Sequence, residues 1–189
     1  MGNRLSKIVT RTGDAGKTGL SDGSRVDKDA PRIKAIGTVD ELSSHIGFAQ
    51  GLTSNNHDLI GLREALTLIQ HDLFDLGGAL SLPGVELLSQ AHVDRLDDIV
   101  EMLNADLPPL KEFILPGGSA AVGAFHIART VARRAERQLL SALETDPQPA
   151  AFGLAYLNRL SDVLFIAART VARSEGTKEV YWEARNSLT

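Results

Sequence analysis

Apolar residues recur at helical spacing in five stretches of this 189-residue chain. The clearest stretch, roughly residues 57–79, carries Leu59, Leu62, Leu66, Ile69, Leu73 and Leu76, each three or four positions from the next. This spacing places the apolar side chains on one face of an α-helix, whereas a half-buried strand alternates every second residue. Because no stretch repeats the strand pattern, we predict an all-α five-helix bundle that forms a single domain over residues 1–189 and begins with an irregular N-terminal segment.

Capping residues and helix breakers set the expected helix boundaries. Thr38 followed by Glu41 has the form of a capping box, so the first helix is expected to start there and to run through Leu52. The second helix is expected over roughly 57–79, after Asn56 and ended by Gly77-Gly78 and Pro83-Gly84. The third is expected over 90–105 after Ser89, the fourth from Ser119 to about 143, and the fifth over 150–174. The short connections between them are typical of a helical bundle.

Composition and charge limit the possible functions. The net charge of −4 does not give the overall basic field of a nucleic-acid-binding protein. The chain contains no cysteine, which excludes disulfides and zinc–thiolate sites and is compatible with a reducing compartment. The N-terminus lacks an apolar core of signal-peptide length, and no apolar run is long enough to span a bilayer. We therefore expect a cytoplasmic protein without a nucleic-acid or membrane partner.

The fourth expected helix carries an unusual row of charges. Arg129, Arg133 and Arg137 are four residues apart and stack on one face, with His126 and Glu136 beside them. The other faces are rich in apolar residues, so this helix is expected to pack against its neighbours. Three cations in a row on such a helix need a negative partner, because unpaired charge is costly to bury. A polyphosphate is one candidate partner, and carboxylates of the same or another subunit are the other.

A loop rich in glycine, threonine and aspartate, TRTGDAGKTGL, occupies residues 10–20. Its backbone N–H groups, its hydroxyls and Lys17 suit it to anion binding. It is not a Walker A motif, because the required upstream glycine would fall at Arg11 and no hydrophobic strand leads into the segment. From this motif alone, a phosphate-binding loop and an ordinary surface loop are equally good interpretations. Lys28 follows in a polar run and, taken alone, has the character of a solvated lysine.

Polar residues also share one face of the fifth expected helix. Asn158, Asp162, Phe165 and Arg169 recur there at helical spacing among apolar residues. A polar seam between helices is one interpretation, and a ligand-binding face is the other. The sequence shows no Ser/His/Asp or Cys/His arrangement and no histidine pair at metal-binding spacing. Together with the loop and the arginines, this face favours electrostatic positioning of a polyphosphate over acid–base catalysis.

At these residues the chain resembles the ATP:cob(I)alamin adenosyltransferases of the propanediol-utilisation type. The resemblance rests on four blocks in order: TRTGDAGKTGL at 10–20, GTVDELSSHIGFA at 37–49, FILPGGS with HIARTVARRAER within 113–137, and YLNRLSDVLF at 156–165. The blocks extend over nearly the whole chain, and only the generic helical region 53–112 adds little. The resemblance implies a five-helix homotrimer with active sites between subunits. It also implies transfer of the 5′-deoxyadenosyl group of ATP to the cobalt of cob(I)alamin, with release of triphosphate.

The resemblance also implies roles for individual residues. The implied ATP-binding residues are Thr10, Arg11, Thr12, Gly13, Thr18, Gly19, Lys28, Arg133, Arg134, Ala135, Glu136, Arg137 and Asn158. Mg²⁺ is expected to accompany the ATP, without a dedicated set of protein ligands. The implied cobalamin-binding residues are Phe113, which matches the aromatic residue under the corrin ring, and Phe165, Asp162 and Trp182 in the same pocket.

Asp40 matches the family residue that pairs with an arginine across the subunit interface, here Arg129. The residues expected to carry catalysis are Asp40, Phe113, Arg129 and Arg133. The expected substrates are ATP and cob(I)alamin or cob(II)alamin, with an electron-donating reductase and an adenosylcobalamin-dependent enzyme as further partners. Two rival functions stay open: a phosphotransferase that releases ADP or phosphate, and a non-catalytic protein that carries corrinoid or senses nucleotide.

Overall fold

The computed structural model describes residues 9, 11–82, 84–145, 147 and 151–184. In this part of the chain the helices are α1 (Pro31–Leu52), α2 (Ile60–Ser81), α3 (Gln90–Asn104), α4 (Ala120–Thr145) and α5 (Ala151–Ser174). A hairpin of two short strands, β1 (Lys17–Gly19) and β2 (Arg25–Asp27), precedes α1, and a 3₁₀ turn, His57–Leu59, leads into α2. The predicted five-helix fold is confirmed. None of the described helices has the length and apolar content needed to cross a bilayer.

Contacts between helices show that α5 runs antiparallel to α2. Near the start of α2, Asn56 Nδ2 donates to Ser174 Oγ at the end of α5, at 2.7 Å. Further along α2, the buried Asp72 accepts from the hydroxyl of Tyr156, near the start of α5, at 2.8 Å. Since residue numbers rise on one helix as they fall on the other, the two helices point in opposite directions.

The same reasoning places the C-terminal end of α4 beside the start of α5. Asn158 Nδ2 donates to Glu136 Oε1 at 3.0 Å, and the rings of His126 and Phe165 lie 6.2 Å apart, so α4 and α5 are antiparallel. Helix α1 is antiparallel to α2, as the hydrogen bond from Gln70 to the Ser43 carbonyl and that from Gln50 to the Arg63 carbonyl show. The starts of α1 and α5 and the ends of α2 and α4 therefore share one end of the bundle.

Helix α4 packs tightly because it presents small side chains to its neighbours. Its buried residues include Ala121, Ala124, Ala128, Ala132, Ala135 and Ala142. Alanines let α1 and α5 approach closely, while larger side chains such as Phe125 and Leu139, both fully buried, fill the remaining space. Burial of each such large side chain stabilises the fold by about 2 kcal/mol. The arginines of α4 are therefore mounted on a well-packed helix.

The first helix begins earlier than its capping box indicates, so that boundary prediction is wrong. Helix α1 starts at Pro31, and Thr38 lies within it, where its Oγ1 donates to the Lys34 carbonyl at 2.8 Å. Proline suits the first helical position, because it lacks the N–H that would be unpaired there. Ala35 and Val39 are buried one turn apart, so packing extends the helix through the expected cap.

Helix α2 ends at Ser81, within two residues of its predicted end, but Gly77-Gly78 does not end it. Gly77 and Gly78 lie inside the helix, which continues to Ser81. The added turn is stabilised because it buries the side chain of Leu80. A glycine in a helix interior costs about 1 kcal/mol relative to alanine, which packing offsets here. Gly78 also faces the side chain of Leu87, which a Cβ would meet at 3.5 Å. The third, fourth and fifth helices begin and end within two residues of their predicted bounds.

Residues 17–27 form a hairpin, where the sequence predicted an irregular loop. In the hairpin Thr18 pairs with Val26, and the turn between the strands is attached to the end of α2. Ser21 N donates to the Ser81 carbonyl at 2.9 Å, and the two hydroxyls lie 2.8 Å apart. The hairpin is therefore held at the end of the bundle where α4 ends and α5 begins.

Candidate active site

Two arginines of α4 present unneutralised charge to solvent. Arg133 and Arg137 are exposed, and Arg137 Nη1 donates to the Arg133 carbonyl at 2.9 Å. Among the described residues neither guanidinium pairs with a carboxylate, whereas the intervening Arg134 forms an ion pair with Glu41 of α1. Carboxylates of the described chain thus do not serve as the anionic partner of Arg133 and Arg137. A polyphosphate or a second subunit remains for that role.

Arg129 differs from these arginines because it is half-buried. Its Nε has no hydrogen-bond partner in the described part of the chain, and burial, followed by the charge of Arg133, lowers the pKa of Arg129. A desolvated guanidinium of this kind is stabilised by any acceptor or anion placed against it. Asp40 is exposed on α1 and forms no ion pair with Arg129 within the described single chain. The pairing of Asp40 with Arg129 across an interface stays a prediction.

Helices α4 and α5 are joined at the site by a hydrogen bond between side chains. The Asn158 amide donates to Glu136 at 3.0 Å, so Asn158 is held beside the arginine-bearing face of α4. Asp162 lies one turn further along α5, exposed, with Arg159 Nη1 at 3.4 Å from its Oδ2. Ala135 is fully buried and contributes packing on the opposite face. The structure therefore brings Glu136 and Asn158 together, while Asp162 lies further along the helix.

The N-terminal loop closes around a lysine ammonium. Lys28 N donates to the Gly16 carbonyl at 2.9 Å, and a Cβ on Gly13 would lie 3.1 Å from Lys28 Nζ. Arg25 Nη2 donates to the Thr12 carbonyl at 2.6 Å. Arg11 adopts a left-handed backbone conformation, with φ of 59°, which turns the chain into the loop.

Lys28 is therefore part of the loop, which its sequence context alone does not reveal. Thr18 and Gly19 lie in β1 of the same unit. Thr10 lies outside the described residues.

An open cavity of about 530 Å³ lies beside Arg129. It is lined by the segment 110–114, His126, Arg129 and Phe165. The side chain of Phe113 is 77% exposed, so its ring stands at the mouth of the cavity. A second cavity of about 540 Å³ shares Leu110 and Phe165 with the first and also contains Asp162. The structure thus assembles Phe113 and Phe165 around one cavity and places Asp162 in the next.

The C-terminal segment pairs with the segment that carries Phe113. Trp182 N donates to the Phe113 carbonyl at 2.7 Å, and Leu115 N donates to the Val180 carbonyl at 2.8 Å, around a bridge between Ile114 and Tyr181. Trp182, assigned to the cobalamin pocket by resemblance alone, therefore lies next to Phe113. Its side chain is about half exposed, at 47%.

Two residues at this site were not assigned a role from the sequence. His126 is buried on α4, and its Nδ1 has no partner among the described residues. Burial, and then the charge of Arg129, lower the pKa of His126, so its ring is neutral at pH 7. Arg169 is buried on α5 and pairs with Glu179 of the C-terminal segment. The sequence shows both residues on the relevant helix faces but does not show that they are buried.

The chain is similar to known proteins along almost its whole length. Residues 8–171 match the model of the family described as cobalamin adenosyltransferase. The chain is 55% identical to a cobalamin adenosyltransferase of Cupriavidus metallidurans, with 97% of each chain aligned. It is 45% identical to a corrinoid adenosyltransferase of Mycobacterium tuberculosis, over 100% of this chain and 99% of that one.

A solved structure extends the likeness to the fold. A variant of the PduO-type ATP:corrinoid adenosyltransferase from Lactobacillus reuteri, complexed with cobalamin and ATP, matches with a TM-score of 0.87 and 33% identity. The match covers 95% of this chain and 97% of that one. The chain belongs to the cobalamin adenosyltransferase family.

Proposed function

We propose that this protein transfers the 5′-deoxyadenosyl group of ATP to the cobalt of cob(I)alamin, forming adenosylcobalamin and releasing triphosphate. The family match and the likeness to a structure complexed with cobalamin and ATP support this reaction. The observation in this chain that carries the proposal is the juxtaposition of two unlike surfaces on α4. The exposed, unpaired Arg133 and Arg137 suit a polyphosphate, and the cavity between Phe113 and Phe165 suits a large flat macrocycle.

The reaction requires no proton transfer by the protein. The electron pair on the cobalt of cob(I)alamin attacks C5′ of ATP, so that a Co–C bond forms as the C5′–O bond breaks. The electron pair of the broken bond leaves with triphosphate. The protein therefore has to position the two substrates and to stabilise the charge that gathers on the leaving group. Guanidinium groups suit the second task, because their planar set of donors matches phosphate oxygens.

We assign nucleotide binding to two parts of the chain. The first is the N-terminal unit with Thr10, Arg11, Thr12, Gly13, Thr18, Gly19 and Lys28, and the second is Arg133–Arg137 with Asn158. Within the described residues, Arg133 and Arg137 form no hydrogen bond or ion pair with the N-terminal unit. An active site shared between subunits would join the two parts. We therefore propose a homotrimer in which the N-terminal unit of one subunit and α4 of another hold the same ATP, with Asp40 pairing with Arg129 across the interface.

Mg²⁺ fits this site as an ion carried by the nucleotide. It commonly binds through phosphate oxygens, waters and one or two carboxylates. Glu136 is the carboxylate beside Arg133 and Arg137, and the described residues contain no cluster of three or more acidic or histidine side chains that would hold a metal by themselves. When bound, the ion would neutralise part of the phosphate charge, while the arginines and Lys28 hold the remaining oxygens.

We assign Phe113 to exclusion of the lower axial ligand from cobalt. The ring of Phe113 is exposed at the mouth of the cavity that Phe165 and Arg129 also line, and with corrinoid bound it would occupy the space that this ligand needs. Without the ligand, the one-electron reduction of cob(II)alamin to cob(I)alamin becomes easier, so an external reductase can supply the electron. The product then passes to an adenosylcobalamin-dependent enzyme.

The deciding experiment mixes the purified protein with chemically reduced cobalamin and MgATP under anaerobic conditions. We expect the absorbance of cob(I)alamin to be replaced by that of adenosylcobalamin, and intact triphosphate to appear in equal amount. Release of ADP or phosphate would instead identify a phosphotransferase. Binding of both ligands with no change in either would identify a carrier or sensor.

A further inference from the structure

We propose that Arg169 is a positioning residue for Phe113, and that it thereby controls whether the Co(II) corrinoid loses its lower axial ligand. The inference rests on the proposed function, because it concerns the residue that we place under the corrin ring. Arg169 acts at a distance, since it contacts the two chain segments that hold Phe113 and not Phe113 itself. We refer to Arg169, Pro108 and Glu179 as the Arg169 clamp.

The clamp joins three separate segments through one side chain. Arg169 Nε donates to Glu179 Oε1 at 2.8 Å, and Arg169 Nη2 donates to the Pro108 carbonyl at 2.8 Å and lies 3.4 Å from Glu179 Oε2. Arg169 itself is only 5% exposed. Pro108 lies between α3 and α4 in the segment that leads to Phe113, and Glu179 lies in the C-terminal segment after α5. One guanidinium therefore fixes both segments to the bundle.

The C-terminal segment transmits this attachment to Phe113. One residue after Glu179, the Val180 carbonyl accepts from Leu115 N at 2.8 Å, and Trp182 N donates to the Phe113 carbonyl at 2.7 Å. The backbone on both sides of Ile114 is thus held by a segment that Arg169 anchors at Glu179.

This attachment matters because the ring of Phe113 has little packing of its own. Its side chain is 77% exposed, so neighbouring side chains do not fix its position. The direction of the ring is therefore set by its backbone, which is held through Pro108 on one side and through the C-terminal segment on the other. A cavity of about 250 Å³ lies behind the paired segments, between Ile114, Val180 and Arg169, so the pair has room to shift inward if the clamp is broken.

Loss of one partner of a buried ion pair is expected to displace the clamp, because the remaining charge moves toward water. Arg169→Met keeps an unbranched apolar stem and removes all three hydrogen bonds. Glu179→Gln keeps the shape of the side chain and weakens only the attachment of the C-terminal segment, because the amide oxygen can still accept a hydrogen bond but carries no charge. Arg169→Lys retains the charge but cannot reach both partners with a planar set of donors, so it should restore function partially.

The experiment measures the fraction of four-coordinate cob(II)alamin by electron paramagnetic resonance, with MgATP bound, in wild type and in these variants. We expect at least a tenfold loss of that fraction in Arg169→Met, a smaller loss in Glu179→Gln, and partial recovery in Arg169→Lys, where tenfold corresponds to about 1.4 kcal/mol. The kcat that starts from cob(II)alamin and a reductant should fall in parallel, while KM for ATP stays unchanged. The rate from pre-reduced cob(I)alamin should change much less.

Arg63→Met provides a matched control for general destabilisation. Arg63 is also an arginine that closes a loop, since its Nη1 donates to the carbonyls of Thr53 and Asn56 at 2.8 and 2.7 Å, but that loop does not carry Phe113. We expect Arg63→Met to lower the melting temperature and to leave the four-coordinate fraction intact. An unchanged four-coordinate fraction in Arg169→Met, or in Glu179→Gln if Arg169→Met does not fold, overturns the proposal. An equal loss of the four-coordinate fraction in Arg63→Met also overturns the proposal.

Failure of the proposed function gives a different result. In that case the wild-type protein itself forms no adenosylcobalamin from cob(I)alamin and MgATP, whatever the state of the clamp. A wild type that turns over, combined with clamp variants that keep the four-coordinate signal, rejects only the role of Arg169.

Discussion

His126 and Arg129 lie three residues apart on α4 and line the same cavity, where the arginine opposes protonation of the histidine. Burial is the larger cause of the lowered pKa of His126, the charge of Arg129 adds to it, and Glu179 acts in the opposite direction. Glu179 is paired with Arg169, so part of this negative charge is already neutralised. The lining of the cavity thus places the cation Arg129 beside a neutral ring that packs against Phe165.

This relationship predicts that part of the stability of the protein is lost in acid through His126. Burial makes His126 harder to protonate in the folded state than in the unfolded state. The contribution of neutral His126 to the free energy of unfolding is therefore complete above the unfolded pKa of about 6.5 and is lost as the pH falls through the lower folded pKa. Urea denaturation at several pH values should show the decline. His126→Phe keeps a ring against Phe165 and should reduce the fall of the free energy of unfolding in acid. His57→Gln, at an exposed histidine, should leave that fall unchanged. An identical pH dependence in wild type and His126→Phe would show that His126 does not contribute.

Helix boundaries could be predicted where a local signal and tertiary packing agree. Ser119 was expected to cap the fourth helix, and its Oγ accepts from Val122 N at 3.2 Å. At the first helix the local signal, the capping box at Thr38, predicts a later start than the observed one at Pro31. Burial of Ala35 decides in favour of the earlier start, and that burial exists only when α1 packs in the bundle.

The chemistry of the site could be predicted from residue types, but the partners of each residue could not. Arg133 and Arg134 are adjacent in sequence, and only the structure shows that Arg134 pairs with Glu41 while Arg133 has no carboxylate partner in the described chain. The proximity of Lys28 to Gly13 depends on a hairpin with three-residue strands, which are too short to show a hydrophobic period.

The unpaired charge of Arg133 predicts a large effect on turnover and a small effect on folding. Arg133→Ala should lower kcat by about 10²–10³-fold, as expected when a donor to developing negative charge is removed. Because the side chain is exposed, the melting temperature and the assembly state should stay close to those of wild type. Arg173→Ala, an exposed arginine in the last turn of α5, serves as the control and should turn over normally. Ordinary activity in Arg133→Ala would remove Arg133 from the leaving-group site.

The exposed ring of Phe113 predicts an effect that depends on the oxidation state of the substrate. Phe113→Ala should bind ATP with wild-type affinity and stay within about 0.5 kcal/mol of wild-type stability, because little packing is lost. Turnover that starts from cob(II)alamin and a reductant should be lost, whereas cob(I)alamin prepared chemically should still react. A normal four-coordinate cob(II)alamin signal in Phe113→Ala would contradict the role that we assign to the ring.

The unsatisfied Nε of Arg129 leads to a test of assembly. If Asp40 of a neighbouring subunit supplies the missing partner, Asp40→Asn should weaken association by about 2 kcal/mol, or roughly thirtyfold, because a desolvated guanidinium loses its counter-charge. Sedimentation equilibrium over a range of protein concentrations measures this change. Asp40→Arg and Arg129→Asp should each assemble poorly alone and should recover part of the activity when mixed, because two of the three interfaces of a mixed trimer then pair opposite charges. Full assembly and unchanged kinetics in Asp40→Asn would instead show that Arg129 finds its anion elsewhere, with the bound nucleotide as the remaining source.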